Sequence, residues 1–271
     1  MGKFDGVLLV SDYDDTLYDH NLTVNDRNHR AIEYFLEQGG RFTIATGRAH
    51  RTFTPQIEKE RLILNAPAVL SNGASIYDYQ ADRPLVETQL PDSAPEDLAA
   101  LARAIPEIGF EAYHGEEIYV YQSNMVTEMH MKRVGGSYTP CAIGEMPTPW
   151  VKVILEQDYP VLRRAQDWML EHHGDKYEAI FSNRYLLELT AKGATKGGMV
   201  ARIARQLDIR PENLYCIGDN QNDLPMLAIS AIPFAPANCA AEVKEWGARV
   251  LCHCNDGAVA QAIEILDGRY R

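Results

Sequence analysis

The feature that most constrains this chain lies near its start, where an apolar run over 6–10 breaks directly into Asp12-Tyr13-Asp14-Asp15-Thr16. A continuous apolar run of this length reads as a strand buried on both faces, as in parallel sheets covered by helices. In open α/β sheets, ligands sit beyond the carboxyl ends of the strands, which is where Asp12 and Asp14 fall. Carboxylates crowded there repel, so they need a cation or an altered protonation state to coexist, and a hard cation such as magnesium takes oxygen ligands of this kind. A solvated acidic loop is the competing reading of these residues alone.

Strand and helix patterns alternate at both ends of the sequence. Asn25 is placed to cap a helix over 26–37 with Ile32, Phe35 and Leu36 on its buried face, and Gly39-Gly40 stops it. Strands are expected over 41–45 and over 67–70, ahead of Ser71-Asn72-Gly73. In the C-terminal part Thr195 is a candidate cap for a helix over 196–207. A strand over 214–217, a short helix over 224–229, strands over 232–235 and 249–251 around a helix over 240–246, and a last helix over 258–266 complete the chain. This alternation predicts an α/β fold with a Rossmann-like, mostly parallel sheet.

The middle reads differently. Ser93-Ala94-Pro95-Glu96 has the form of a capping box, and Asp158 can cap a helix stopped by Gly174. Strand-like segments over 110–113, 118–122, 151–156, 177–181 and 185–189 are joined in pairs by short loops such as His114-Gly115 and Asn183-Arg184, which favours antiparallel hairpins. The predicted organisation is a discontinuous core domain over 1–83 and 188–271, with an α+β domain inserted over 84–187.

Composition narrows the function. The 271 residues are 46% hydrophobic and 24% charged, ordinary for a globular protein, and 38 acidic against 26 basic side chains give a net charge of -12. Without a dense Lys/Arg run, nucleic acid and anionic membranes are disfavoured as partners. Five scattered cysteines do not make a disulfide framework. Cys252-His253-Cys254 would need two more ligands to hold zinc, and none is nearby in sequence, so these read as core or strand-end thiols. The N-terminus turns acidic after a five-residue apolar stretch and no run approaches the roughly 18 residues of a spanning helix, so a cytoplasmic protein without a signal peptide is expected.

Three further clusters fall at equivalent boundaries. Thr46-Gly47-Arg48 follows the second strand with a hydroxyl and backbone N–H groups where a helix begins. Lys196 opens a helix, where its charge and the helix N-terminus both favour a phosphate dianion. Gly218-Asp219-Asn220-Gln221-Asn222-Asp223 follows the 214–217 strand and adds more oxygens suited to a metal.

Together, Asp12-x-Asp14-x-Thr16, Thr46, Lys196 and Gly218-Asp219-x-x-Asn222-Asp223 resemble the four motifs of the haloacid dehalogenase-like hydrolase superfamily, in the right order. The insert resembles the α/β cap of its Cof-type subfamily, class IIB. Ala45-Thr46-Gly47-Arg48, Ser71-Asn72-Gly73-Ala74, Lys196-Gly197, Asn238 and Asp256-Gly257-Ala258-Val259 extend the likeness over essentially the whole chain. Two departures stand out: Asp15 occupies a position where the family often has Gly, and the segment over 230–238 lacks the glycines common there.

The resemblance implies a magnesium-dependent phosphatase that hydrolyses a small phosphate ester through an aspartyl-phosphate. Asp12 would be the nucleophile and Asp14 the general acid and base, with a raised pKa. Thr46, Gly47, Lys196 and Asn222 would bind the phosphoryl group, and Asp12, Asp14 (through its backbone carbonyl), Asp219 and Asp223 would serve the metal, Asp223 either as ligand or by orienting one. Asp12, Asp219 and a phosphate dianion bring about four negative charges together, and Mg2+ with Lys196 returns about three. His114, Tyr119, Arg184, Arg48 and Asn72 are candidate substrate contacts. A hexose phosphomutase or phosphotransferase using the same aspartyl-phosphate, and a phosphate-ligand binding protein without turnover, remain the alternatives.

Overall fold

The computed structural model describes residues 2–270. The Leu8–Ser11 strand lies inside a five-stranded parallel sheet, between Arg41–Ile44 on one side and Leu214–Ile217 on the other, with Pro233–Ala235 and Arg249–Val250 continuing outward. All four of its residues are buried, as its apolar composition requires. One face is covered by the Asp26–Glu37 and Ala258–Arg269 helices, which pack on each other. The other face is covered by Lys196–Gln206, Leu224–Leu227 and Ala241–Trp246.

Asn25 caps Asp26–Glu37 through Asn28 N–H, and Thr195 caps Lys196–Gln206 through Gly198 N–H, both where the sequence places them. The Ala68–Leu70 strand departs from expectation. It joins the five-stranded sheet only through a bridge between Ala45 and Val69, and otherwise forms a small antiparallel sheet with Ser75–Asp78 and Arg83–Glu87. The helix His50–Glu60 has no side-chain cap and carries Pro55 inside it, so no signal marked its bounds. Ser93 does not form the anticipated capping box; its hydroxyl donates to Asp97 Oδ2 instead. Asp158 precedes Tyr159–His173 but makes no side-chain cap bond.

The inserted region builds a separate six-stranded, mainly antiparallel sheet. Its last strand, Leu186–Ala191, pairs in this sheet beyond the boundary expected at 187. Period-2 alternation divides its faces. Phe110, Ala112, Val153, Leu155, Leu187 and Leu189 lie beneath the helices Ala94–Ala104 and Tyr159–His173. The intervening residues Glu111, Tyr113, Lys152, Glu156 and Glu188 are nonetheless buried, on the side that carries the helix Met125–Val134 and the core residues Ala49 and Ala74.

Two of these buried carboxyls share one neighbourhood. Glu111 accepts from His130 Nδ1 at 2.8 Å and from the Tyr113 hydroxyl at 2.7 Å, whereas Glu156 accepts from Thr127 Oγ1 at 2.5 Å. Burial, and then contact with Glu111, push Glu156 up to about 10. Its folded pKa lies above the unfolded one, so its stabilising effect is full at acid pH and declines as pH rises toward that value. Glu156→Gln, a neutral isostere, is expected to flatten that decline. Between about pH 6 and 9 the wild-type melting temperature should fall by at least about 3 °C more than the variant's, and equal slopes by circular dichroism would place the proton elsewhere.

Candidate active site

The two expected strand-end loops of the parallel sheet meet at one cavity. Asp12 N–H donates to Ile217 O at 2.9 Å as the Leu8–Ser11 strand ends beside Leu214–Ile217, which sets Asp12 next to the Asp219 loop. Thr46 and Arg48 are tied to the 71–72 turn: Asn72 N–H donates to Thr46 O, and Ser71 N–H to Arg48 O. Lys196 reaches the same place because its helix approaches closely on two sides. A Cβ on Gly197 would lie 2.2 Å from the Pro225 carbonyl, and one on Gly73 would lie 2.4 Å from that of Thr195.

The cavity, of about 120 Å³, is lined by Asp12, Asp14, Asp15, Thr46, Gly47, Arg48, Asp219 and Asn222 from the core. Tyr113, His130, Arg133, Lys152, Ser182, Asn183 and Glu188 face them from the cap. Lys196 Nζ, 1% exposed, donates to Asp12 Oδ1 at 2.6 Å and to Asp223 Oδ1 at 2.7 Å. The other Asp223 oxygen accepts the backbone N–H groups of Asp219 and Asn220, so both of its oxygens are occupied. Among the described residues, the Asp219 carboxylate has only the Thr16 hydroxyl, at 3.4 Å. Asn222 Nδ2 donates to Asn72 Oδ1 at 3.1 Å, and Asn72 Nδ2, beside Gly47, is buried with no partner among the described residues.

Charge in this cluster is not balanced by the protein. Burial raises Asp12 to about 7 although Lys196 opposes it, and burial with Asp12 and Asp223 as neighbours drives Asp219 well above the ordinary carboxylate range. Oxygens of Asp12, Asp219 and Asp223 lie within 4.8 Å of one another, against the single ammonium of Lys196. A hard divalent cation is suited to that oxygen-rich deficit.

Asp14 differs from the expectation of a raised pKa. Burial would raise it, but Arg48 grips both of its oxygens at 2.8 Å, and with Arg133 and Lys196 nearby the net effect holds Asp14 below the usual range. Arg48 was a candidate substrate contact; it lines the cavity, but its guanidinium is spent on Asp14. Asp15 has φ 62°, the left-handed region that glycine occupies without strain and aspartate tolerates, which accounts for the family's frequent Gly there. Its carboxylate is used: Arg133, from the cap helix Met125–Val134, donates to Oδ2 at 2.8 Å.

Of the other candidate contacts, Asn72 abuts the site through Asn222, while His114, Tyr119 and Arg184 are occupied elsewhere. His114 bonds Pro149 O, Tyr119 donates to Glu117, and Arg184 lies over the Tyr185 ring. His130, Arg133 and Lys152 were not anticipated. The Asn124-x-x-Thr127 capping box could have disclosed the helix bearing the first two, and a lysine inside an apolar strand could have disclosed the third. Lys152 Nζ donates to Gly47 O at 2.8 Å and to Glu188 at 3.1 Å, joining cap to core.

A haloacid dehalogenase-like hydrolase family model matches residues 9–263, so the chain belongs to that family. It is 25% identical to the 5-amino-6-(5-phospho-D-ribitylamino)uracil phosphatase YwtE of Bacillus subtilis, over 97% of this chain and 99% of YwtE. Phosphatase YwpJ of the same organism is 22% identical, over 96% and 99%. Among solved structures, the subclass IIB sugar phosphatase BT4131 shares the fold at a TM-score of 0.83 and 20% identity, covering 96% of this chain and 99% of that one. A haloacid dehalogenase-like hydrolase from Bacteroides thetaiotaomicron aligns at 0.80 and 23% identity, over 96% and 99%. The protein is therefore an enzyme of this family, a phosphatase. No helix among the described residues is long and apolar enough to cross a membrane.

Replacing Arg48 removes the main group that opposes burial at Asp14. Arg48→Met is expected to raise the Asp14 pKa, because burial then meets less opposition. Carboxyl carbon NMR titration reads this directly, and an unmoved Asp14 resonance would mean that Arg133 and Lys196 suffice.

Proposed function

We propose that this cavity is the active site of a magnesium-dependent phosphomonoesterase acting on a small phosphorylated metabolite, a sugar phosphate or a phosphorylated cofactor. The observation that carries the reading is the buried Lys196 holding Asp12 at 2.6 Å in the cavity wall, beside the under-compensated Asp219. In this reading Asp12 attacks phosphorus in line as the bond to the leaving alcohol breaks, and water then hydrolyses the aspartyl-phosphate. Asp14 gives a proton to the leaving oxygen and later takes one from water. Its bond to Arg48 suits the second role and must loosen for the first.

Thr46, the Gly47 backbone, Asn222 and Lys196 would hold the phosphoryl oxygens, and the unpartnered Asn72 Nδ2 is a further donor of the right kind. The residues present fit a magnesium ion. Because both Asp223 oxygens are occupied, its part in this reading is to orient Lys196 and the Asp219 loop, leaving Asp12, Asp219 and the Asp14 carbonyl as ligands. Bound there, Mg2+ supplies the positive charge that lets a phosphate dianion approach the carboxylates.

The cavity is far smaller than the roughly 300 Å³ at which metabolite pockets begin, so the cap must swing away for the substrate to reach Asp12. The names of YwtE and BT4131 support phosphorylated ribityl compounds and sugar phosphates as the first esters to try. A net charge of -12 supports a small ester over nucleic acid, and five free thiols support a reducing cytoplasmic setting.

A screen of phosphate release over sugar phosphates, nucleotides and phosphorylated cofactors tests the proposal. Turnover should require Mg2+, stop with EDTA, and drop by about 10³-fold or more in Asp12→Asn with the fold unchanged by circular dichroism. Full activity of that variant would remove Asp12 from the nucleophile role. Isomerised sugar phosphate in place of free phosphate would make the enzyme a phosphotransferase.

A further inference from the structure

A second constellation of metal-type ligands lies on the core, behind the Asp15 loop. His253 and Cys254 stand near the C-terminus, and the fold lays the loop bearing His20 against them. Asn238 staples the two segments, its Nδ2 donating to Asp15 O at 2.8 Å and its Oδ1 accepting Cys254 N–H at 3.0 Å. His20 N–H donates to Asn255 Oδ1 at 3.1 Å, and the His20 and His253 rings meet edge to face with centroids 5.0 Å apart.

One ring nitrogen of each histidine and Cys254 Sγ lie within 4.8 Å of one another. Cys254 Sγ is 3.5 Å from His253 Nδ1, and His20 Nε2 is 3.4 Å from Asp15 Oδ1. Zinc bonds of about 2.3 Å to sulfur and about 2.0–2.1 Å to nitrogen or oxygen set ligand-to-ligand edges of about 3.3–3.6 Å in a tetrahedron. The Cys254–His253 separation falls in that range.

We propose that His20, His253 and Cys254, with water completing the tetrahedron, form a binding site for a zinc-class transition-metal ion, separate from the all-oxygen cluster at Asp12. Two imidazoles and a thiolate suit Zn2+ or Co2+ and not Mg2+. On binding, the Cys254 S–H bond breaks, its electron pair goes to the metal and the proton to solvent. The buried thiol keeps that proton when no metal is present. The His253 nitrogen that now accepts Asn255 N–H at 3.1 Å exchanges this bond for the metal. Asp15, whose Oδ1 lies 3.4 Å from His20 Nε2 while Oδ2 holds Arg133, would be a neighbour of the ion and not a ligand.

Cobalt reports the site without relying on turnover. Co2+ is titrated into the metal-stripped full-length protein with excess Mg2+ present to occupy oxygen sites. One equivalent should give intense tetrahedral visible bands and a near-ultraviolet thiolate-to-cobalt band, which no oxygen-only site produces, and Zn2+ should bleach both. Cys254→Ser should abolish the thiolate band. His20→Ala, at an exposed position and so least able to disturb folding, should weaken Co2+ binding by at least about tenfold. A weak octahedral spectrum from the wild-type protein, or bands unchanged in His20→Ala, would overturn the proposal.

Discussion

The ammonium of Lys196 stands between Asp12 and Asp223 with almost no contact with water, and much of the core is arranged to keep it there. Desolvating three charges costs several kcal/mol per ion, and only close geometry with further hydrogen bonds offsets it. The surroundings supply both. Asp223 is steadied by two backbone N–H groups, and the Lys196 helix is capped by Thr195. Side-chain-free surfaces at Gly73 and Gly197 let that helix come close enough for the lysine to reach. The pull of the two aspartates outweighs burial and keeps Lys196 charged. It does not neutralise Asp219, and that residual deficit is what makes the site receptive to a cation.

The cap meets this centre through polar contacts beside the apolar patch in which Ala49 and Ala74 pack against it. Lys152 reaches the Gly47 carbonyl and Arg133 reaches Asp15, each from a cap element onto a loop at the end of a core strand. The Arg133–Asp15 pair is partly exposed and contributes about 1 kcal/mol or less, whereas Lys152 holds the Gly47 carbonyl from a buried position. The loops they touch also carry Asp14, Thr46 and Arg48, so the cap contacts bear directly on the residues that line the cavity.

How much of this could be read beforehand depended on the range of the interaction involved. The core strands and their helices followed from local rules: apolar runs, Asn25 and Thr195 as caps, the Gly39-Gly40 stop. The site residues fell at strand ends, where the α/β architecture collects them. Only the start of the helix His50–Glu60 was read, just after Arg48, because it lacks a cap, and Met125–Val134 was not read, since it presents exposed Met125 and Met129 where a buried stripe would normally be sought. The buried polar residues of the cap sheet, Glu111, Lys152, Glu156 and Glu188, draw mainly on partners distant in sequence or on other elements.

By itself the sequence determined the layer order, the parallel core and the identity of the groups that meet above it, because strand direction and motif position are properties of short segments. Tertiary structure decided the protonation and pairing of those groups. Asp14 is held ionised by Arg48, 34 positions away, Asp15 is engaged by Arg133, 118 away, and His20 is set beside Cys254. Charge states inside a protein depend on burial and on the nearest opposite charge, and neither exists until the chain has folded.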